Sequence, residues 1–267
     1  MLIRIGSALI GIPVFIMFLY LGNIYLAGFI FALIILGSFE FKRLIGNSCN
    51  TLDISSVLIG ELIFILGILY NWQNWLSLGI GVTFLSSLLI MLKNYPKVKI
   101  NVISLNLLNL LYVGWTLVHI LLIRNLHQGF LLLLLLFIII WATDTGAYFT
   151  GRFLGKNKLA PQISPKKTIE GAIGGLISSV ICAIIFVSFY KIIPVPFVIL
   201  IAIIISTMGQ IGDLIESSFK RFVGIKDSGN IIPGHGGILD RFDSTITTAP
   251  ILYYILILLH NWGGYFG

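Results

Sequence analysis

Asp213, Glu216, Ser217 and Lys220 recur at i, i+3, i+4 and i+7, which on a helix puts two carboxylates, a hydroxyl and an ammonium on one face. Asp240 and Asp243, in ILDRFDSTI, share a face in the same way if a helix starts there. Carboxylates gathered at two helix ends are best stabilised by a hard divalent cation. Mg²⁺ takes one or two of them and leaves its other positions for water and substrate phosphates. Between the two groups runs IPGHGGILD, whose Gly234, Gly236 and Gly237 permit positive φ and close approach of the main chain to a ligand. The helix N-terminus that follows would offer free N–H groups to phosphate. Lys166, Lys167, Lys220, Arg221, Lys226 and Arg241 suit a polyanionic substrate. Metal, phosphate-binding loop and cations together point to phosphoryl or nucleotidyl transfer.

Two more carboxylates belong to this pattern: Asp144 in WATDTGAYFTGR and Glu170 in SPKKTIEG, both beside long apolar runs. An ionisable group at membrane depth costs about 2.5 to 3.5 kcal/mol, less near an interface, so several of them need a common partner. Plainer readings exist for each residue. The polar loop could be a connector, Asp144 a helix-packing group bonded to a Ser or Thr, and His235 the closure of a turn. Coincidence explains each singly but not their gathering. His119, His127 and His260 are read as structural or surface residues. Glu61, in the middle of an apolar run, either pairs with a polar helix partner or marks a lateral polar cavity.

The elements that must position these groups are membrane helices. Hydrophobic residues make up 58% of the chain and charged residues 10%, and mean hydropathy is +1.04, far from soluble domains with about a quarter of residues charged. Nine runs approach the roughly 20 residues needed to cross a bilayer: about 2–21, 24–39, 52–70, 75–92, 102–123, 130–149, 169–190, 197–215 and 246–262. The second is the shortest. Porin-like alternation is absent, so the fold class expected is all-α, a polytopic membrane protein of about nine helices. Residues 1–128 would supply about five spans and residues 129–267 a catalytic transmembrane region. The first run has no cleavage site before a polar mature domain and reads as a retained helix. Cys49 lies in a loop and Cys182 inside a span, so no structural disulfide is expected.

With a cytoplasmic N-terminus, nine spans place 15 of the 17 Lys and Arg residues inside and only Arg124 and Lys191 outside, as the positive-inside rule requires. Losing one span would scatter the cations over both faces. The net charge of +7 is largely this topological signal and suits anionic headgroups. Nucleic-acid binding is disfavoured, because the cations are spread over short loops without an aromatic platform.

The run SSFKRFVGIKDSGNIIPGHGGILDRFD from Ser217 resembles the long signature of the bacterial phosphatidate cytidylyltransferases (CDP-diacylglycerol synthases). It matches at Ser217, Lys220, Arg221, Lys226, Asp227, Pro233, His235, Gly236, Gly237, Asp240, Arg241 and Asp243. DTGAYFTGR from Asp144, SPKKTIEG from Ser164 and GDLIES from Gly212 are similar to the same family. The strong resemblance covers roughly residues 141–250.

What the resemblance implies is a membrane enzyme that makes CDP-diacylglycerol and pyrophosphate from CTP and phosphatidate. It implies a nine-span homodimer with a cytoplasm-facing polar cavity, a funnel open to that side, and a metal pair, Mg²⁺ with K⁺ as a second cation, near Asp213 and Asp240. On that basis Asp227 and Asp243 would complete the metal shell. Lys166, Lys167, Lys220, Arg221, Lys226 and Arg241 would clamp phosphates, with Asp144, Glu170, Ser217, Gly236 and Gly237 as further binding residues. His235 would donate to the triphosphate rather than act as a base, since phosphatidate, with a second phosphate pKa near 6, needs little general-base help. Two other functions compete: a CTP-dependent polyprenol-type lipid kinase, and a transporter of cations or organic anions. A transporter would place its charges near the bilayer midplane, between paired repeats.

Overall fold

The computed structural model describes residues 2–46, 54–229 and 236–263. The apolar runs form α1 (Leu2–Leu21), α2 (Asn23–Gly46), α3 (Ile54–Leu69) and α4 (Trp75–Lys93). They continue as α5 (Asn101–Asn109), a π-helical segment (Leu110–Trp115), α6 (Thr116–Arg124) and α7 (Gly129–Phe153). After a hairpin of β1 (Lys158–Ala160) and β2 (Ser164–Thr168) come α8 (Ile169–Tyr190), α9 (Val195–Phe222) and α10 (Leu239–Gly263). Among the described residues seven rods are long and apolar enough to cross a membrane, the stretch Asn101–Arg124 counting as one. The shorter apolar helices are Leu9–Leu21 and Ile54–Leu69.

The second span is not the short one. Its apolar stretch stops at Phe39, but α2 runs for 24 residues to Gly46, because Glu40 is buried rather than solvated and Arg43 sits in the last turn, where the helix dipole favours a cation. The third is the short one, with 16 described residues. Likewise α7 and α9 continue past their apolar ends to Phe153 and Phe222, and α10 begins at Leu239, ahead of its apolar stretch. Arg152 on α7, Ser217, Lys220 and Arg221 on α9, and Asp240, Arg241 and Asp243 on α10 ride on these extensions.

The chain forms two compact units, Met1–Leu122 with Phe222–Phe242, and Ile123–Arg221 with Asp243–Gly267. In the first, α3 packs along α4 and α2 packs on α3 and the π-helical segment. Two buried polar groups cross this packing. The Ser38 hydroxyl lies 2.5 Å from Glu61 Oε1 and 3.0 Å from Asn109 Oδ1, and Asn106 Nδ2 donates to Ser87 Oγ at 2.9 Å. Glu61 therefore takes the first of its two readings, pairing with a polar helix partner. A Cβ on Gly114 would stand 2.9 Å from Glu61 Cγ, so the π-helical segment passes close over this carboxyl group.

In the second unit α7 packs along α8 through small residues, as membrane helices do when backbones approach closely. A Cβ on Gly175 would lie 2.7 Å from the Thr143 carbonyl oxygen, and one on Gly171 2.9 Å from that of Ala147. Thr143 Oγ1 donates to Ser206 Oγ (2.9 Å) and Gln210 Nε2 to the Ala172 carbonyl (3.2 Å), tying α9 to α7 and α8. Ser244 Oγ and Thr247 Oγ1 donate to the carbonyls of Gly209 and Met208 at 3.1 and 2.9 Å, tying α10 to α9. The outer face of α8 exposes Ile173, Ile177, Ile181, Ile185 and Phe189, a spacing of four that makes one apolar stripe suited to lipid.

Candidate active site

Asp144, Ala147, Tyr148, Gly151 and Arg152 lie at i, i+3, i+4, i+7 and i+8, one face of α7, and all five line a cavity of about 550 Å³ in the second unit. The other walls are Leu159, Lys166, Lys167 and Thr168 from the hairpin, Gly171 and Ala172 from α8, and Gln210 and Asp213 from α9. The lining carries three cations against two carboxylates, a balance that favours an anionic guest. Lys167 forms an ion pair with Asp213, and Ser217, one turn on, donates to Asp213 Oδ1 at 3.2 Å. Thr168 caps α8 by accepting from Gly171 N at 3.1 Å. Arg152 Nη1 donates to the Tyr148 hydroxyl at 2.8 Å.

The remaining sequence-selected residues of this unit are placed around the cavity's framework. Glu170 accepts from Lys156 N (3.1 Å), Asn157 N (3.2 Å) and Asn157 Nδ2 (2.8 Å), fastening the chain after α7 to the first turn of α8. Lys220 is paired with the buried Glu216 one turn back. Arg221 Nε donates to the Ile163 carbonyl at 3.2 Å, linking the end of α9 to the hairpin turn. Asp243 lies within electrostatic reach of Asp213, Asp144 and Lys167, and its Oδ1 accepts from Ser244 N at 2.6 Å.

In the first unit Asp240 and the glycines form a second constellation. Asp240 Oδ2 accepts from Ser228 N (2.9 Å), Ser228 Oγ (2.9 Å) and Gly237 N (2.8 Å). Gly236 has φ of +86°, where a side chain is strained, and a Cβ there would also meet the Asp240 carboxylate. A Cβ on Gly237 would stand 2.6 Å from Glu40 Cδ. Contacts inside the chain thus account for both glycines. Lys226, Asp227 and Arg241 are exposed. Pro233, Gly234 and His235 lie outside the described residues.

The sequence profile of the cytidylyltransferase family matches residues 2–259. The chain belongs to the cytidylyltransferase family. It is similar to a protein named phosphatidate cytidylyltransferase from Staphylococcus haemolyticus, 36% identical over 263 residues, 96% of this chain and 99% of the relative. A protein of that name from Bacillus subtilis is 48% identical over 151 residues, 55% of this chain and 56% of the relative. One from Staphylococcus aureus (strain COL) is 51% identical over 131 residues, 49% of this chain and 50% of the relative.

Reading motifs alone misses several residues of this cytidylyltransferase's cavity. Tyr148 and Arg152 follow Asp144 at four-residue steps, and Gln210 precedes Asp213 by three, so helical periodicity extended from each acid finds them. Glu40 is missed for another reason. An apolar count ends the second span just before it, which makes it look like an interfacial charge. Its flanks, GSFEFKR, place apolar residues on both sides, and the helix carries it into the protein with 1% of its surface exposed.

Among the described residues no three acidic, His or Cys side chains converge on a point as a closed metal cage does. An open wall offering one or two carboxylates is instead what Mg²⁺ uses when substrate phosphates supply further ligands. The hard oxygens of Asp213 and Asp144 at the cavity surface fit that mode.

Proposed function

We propose that this cytidylyltransferase transfers the cytidylyl group of CTP to phosphatidate, giving CDP-diacylglycerol and pyrophosphate. The observation that carries the reading is the cavity with Asp144, Asp213, Lys166, Lys167 and Arg152 on its walls, in a chain with so few charged residues. The relatives' shared name supplies the substrates.

A phosphatidate phosphate oxygen attacks the α-phosphorus of CTP, forming the new P–O bond as the bond to the β-phosphate oxygen breaks and pyrophosphate leaves. No protein nucleophile takes part. Lys166, Lys167 and Arg152 hold the phosphates of two anionic substrates together against their repulsion. Lys220 and Arg221 at the end of α9 add positive potential, and the motif adds Lys226 and Arg241 as phosphate-binding residues and His235 as a donor to the triphosphate. Asp213, with Asp144 beside the same cavity, would hold Mg²⁺, which when bound neutralises triphosphate charge and favours departure of the leaving group. The motif adds Asp240 as a second metal residue, Asp227 and Asp243 as residues orienting metal-bound water, and a second cation such as K⁺.

The enzyme works as a homodimer in the cell membrane, with its N-terminus and active site cytoplasmic. The 15 to 2 distribution of cations supports that orientation, and it puts the site where CTP is available.

Purified protein given Mg²⁺, phosphatidate and CTP labelled separately at the α and γ phosphates tests the reading. Label from the α position in lipid is the result expected. Label from the γ position would make the enzyme a lipid kinase, and label from neither would remove the transferase reading.

A further inference from the structure

Glu40 is a buried carboxylate that the transfer chemistry leaves unused, and its partners all come from the signature motif. Oε1 accepts from Ile238 N at 2.9 Å. Oε2 accepts from Leu239 N at 2.9 Å and from Ser228 Oγ at 3.1 Å. Ile238 and Leu239 stand at the start of α10, where unsatisfied N–H groups and the helix dipole favour a negative charge. This capping carboxylate comes from α2, nearly two hundred residues away in sequence.

The same carboxylate reaches the other side of the motif. Ser228 precedes the segment that carries His235, and Gly237 to Leu239 follow it. Glu40 binds both flanks, and Asp240 binds Ser228 and Gly237 from within the motif. The two acids share the Ser228 hydroxyl. Close packing seals the arrangement: a Cβ on Gly229 would lie 2.9 Å from Glu40 Cδ and one on Gly237 2.6 Å from it. A side chain at Gly237 would press on both Glu40 and the Ser228 hydroxyl it binds.

We infer that Glu40 is a positioning residue of the cytidylyl-transfer site: by holding Ser228 against the N–H groups of Ile238 and Leu239 it fixes the donors that orient Asp240, the acid the motif assigns to the metal. This rests on the transfer reading above. The N-terminal half, which carries none of the signature, thereby contributes to catalysis without touching substrate. An uncharged amide cannot replace the carboxylate, because one of its two ends is a donor and would face Ile238 N, or Leu239 N and Ser228, with no acceptor to offer.

The test compares full-length wild type with Glu40→Gln and Glu40→Asp, and with Glu61→Gln as the control for loss of a buried carboxyl group in the same unit. Two readouts are taken in detergent: kcat and KM for CTP, and hydrogen exchange of backbone amides by mass spectrometry. Glu40→Gln is expected to lower kcat by about 10- to 100-fold, with Glu40→Asp recovering part of it. Exchange should accelerate in peptides covering 225–229 and 236–240 and stay unchanged in those of α3 and α4. Unchanged kcat with faster local exchange would overturn the inference, leaving Glu40 a helix cap only. Loss of kcat with exchange raised throughout α3 and α4, or an equal loss in Glu61→Gln, would overturn it as well, by assigning the effect to the fold. A wild type that transfers no cytidylyl group would fail the transfer reading instead, and would show this before any variant is compared.

Discussion

Lys167, on the hairpin between α7 and α8, is ion-paired with Asp213 on α9, and both side chains line the same cavity. Each is about one-third exposed (27% and 32%), so the pair adds little to stability, about 0 to 1 kcal/mol. Its value is positional. In the proposed transfer the ammonium meets the arriving triphosphate, which draws it away from Asp213.

Asp213→Asn and Lys167→Ala are therefore expected to leave the melting temperature in detergent nearly unchanged while reducing cytidylyl transfer. Lys167→Ala should cost about 100-fold in kcat/KM, the scale seen when one charge-stabilising donor is removed. Asp213→Asn should abolish turnover. Steady-state kinetics alongside thermal unfolding decide it, and a large drop in melting temperature for either variant would mean that the pair is structural.

Chelation gives a second prediction. An open Mg²⁺ site completed by substrate binds the free ion weakly, so EDTA should stop turnover at once and added Mg²⁺ should restore it fully. Melting of the substrate-free enzyme should not move with EDTA, because linkage stabilises only in proportion to binding. A fall in melting temperature on chelation would instead indicate a resident structural metal.

Helix identity and the gathering of charge at helix ends were legible in the sequence, because membrane insertion forces apolar length and makes each carboxylate conspicuous. Helix ends were not, since backbone hydrogen bonding carries α2, α7 and α9 past their apolar stretches. The hairpin of Lys158–Ala160 with Ser164–Thr168 was also illegible: its strands are too short for a periodic signal. Cavity residues such as Tyr148 and Arg152 were recoverable by stepping along the helix from Asp144. Glu40 was not, because its partners lie far off in the chain and are two main-chain N–H groups, which leave no mark on residue type, and one serine hydroxyl. Only its effect on Gly237 shows, and there a glycine reads equally well as a ligand-facing one.

Packing of α7 on α8 gives a third prediction. Gly175 has no room for a side chain, since its Cβ would press on the backbone oxygen of Thr143, which cannot swing aside. Gly175→Ala should destabilise by about 1 to 3 kcal/mol, read as a lower melting temperature, with activity lost in proportion to the unfolded fraction. Gly81, whose Cβ would meet nothing within 4 Å, serves as the control, and Gly81→Ala should be silent.

Orientation is tested by labelling. In a background with Cys49 and Cys182 replaced by Ser, single cysteines at Lys97 and Lys191, both exposed, should react oppositely with a membrane-impermeant maleimide. Lys191→Cys should label in intact cells and Lys97→Cys only after lysis. The reverse pattern would invert the topology and separate the site from cytoplasmic CTP.

Asp240 offers the sharpest separation of architecture from chemistry. One of its oxygens receives three donors, from Ser228 N, Ser228 Oγ and Gly237 N. Asp240→Asn keeps a carbonyl oxygen of the same reach, so those bonds and the start of α10 can survive, whereas Asp240→Ala removes them all. If Asp240 only shapes the loop, the Asn variant should retain turnover and the Ala variant lose it. If its charge also serves the transfer, as the motif implies, Asn should fold with a near-normal melting temperature and lose turnover as completely as Ala. The second outcome is expected, because a neutral amide cannot balance cationic charge at the site. Turnover and thermal unfolding of the two variants, measured on the same preparations, distinguish these cases, and an active Asn variant would remove Asp240 from the metal-binding set.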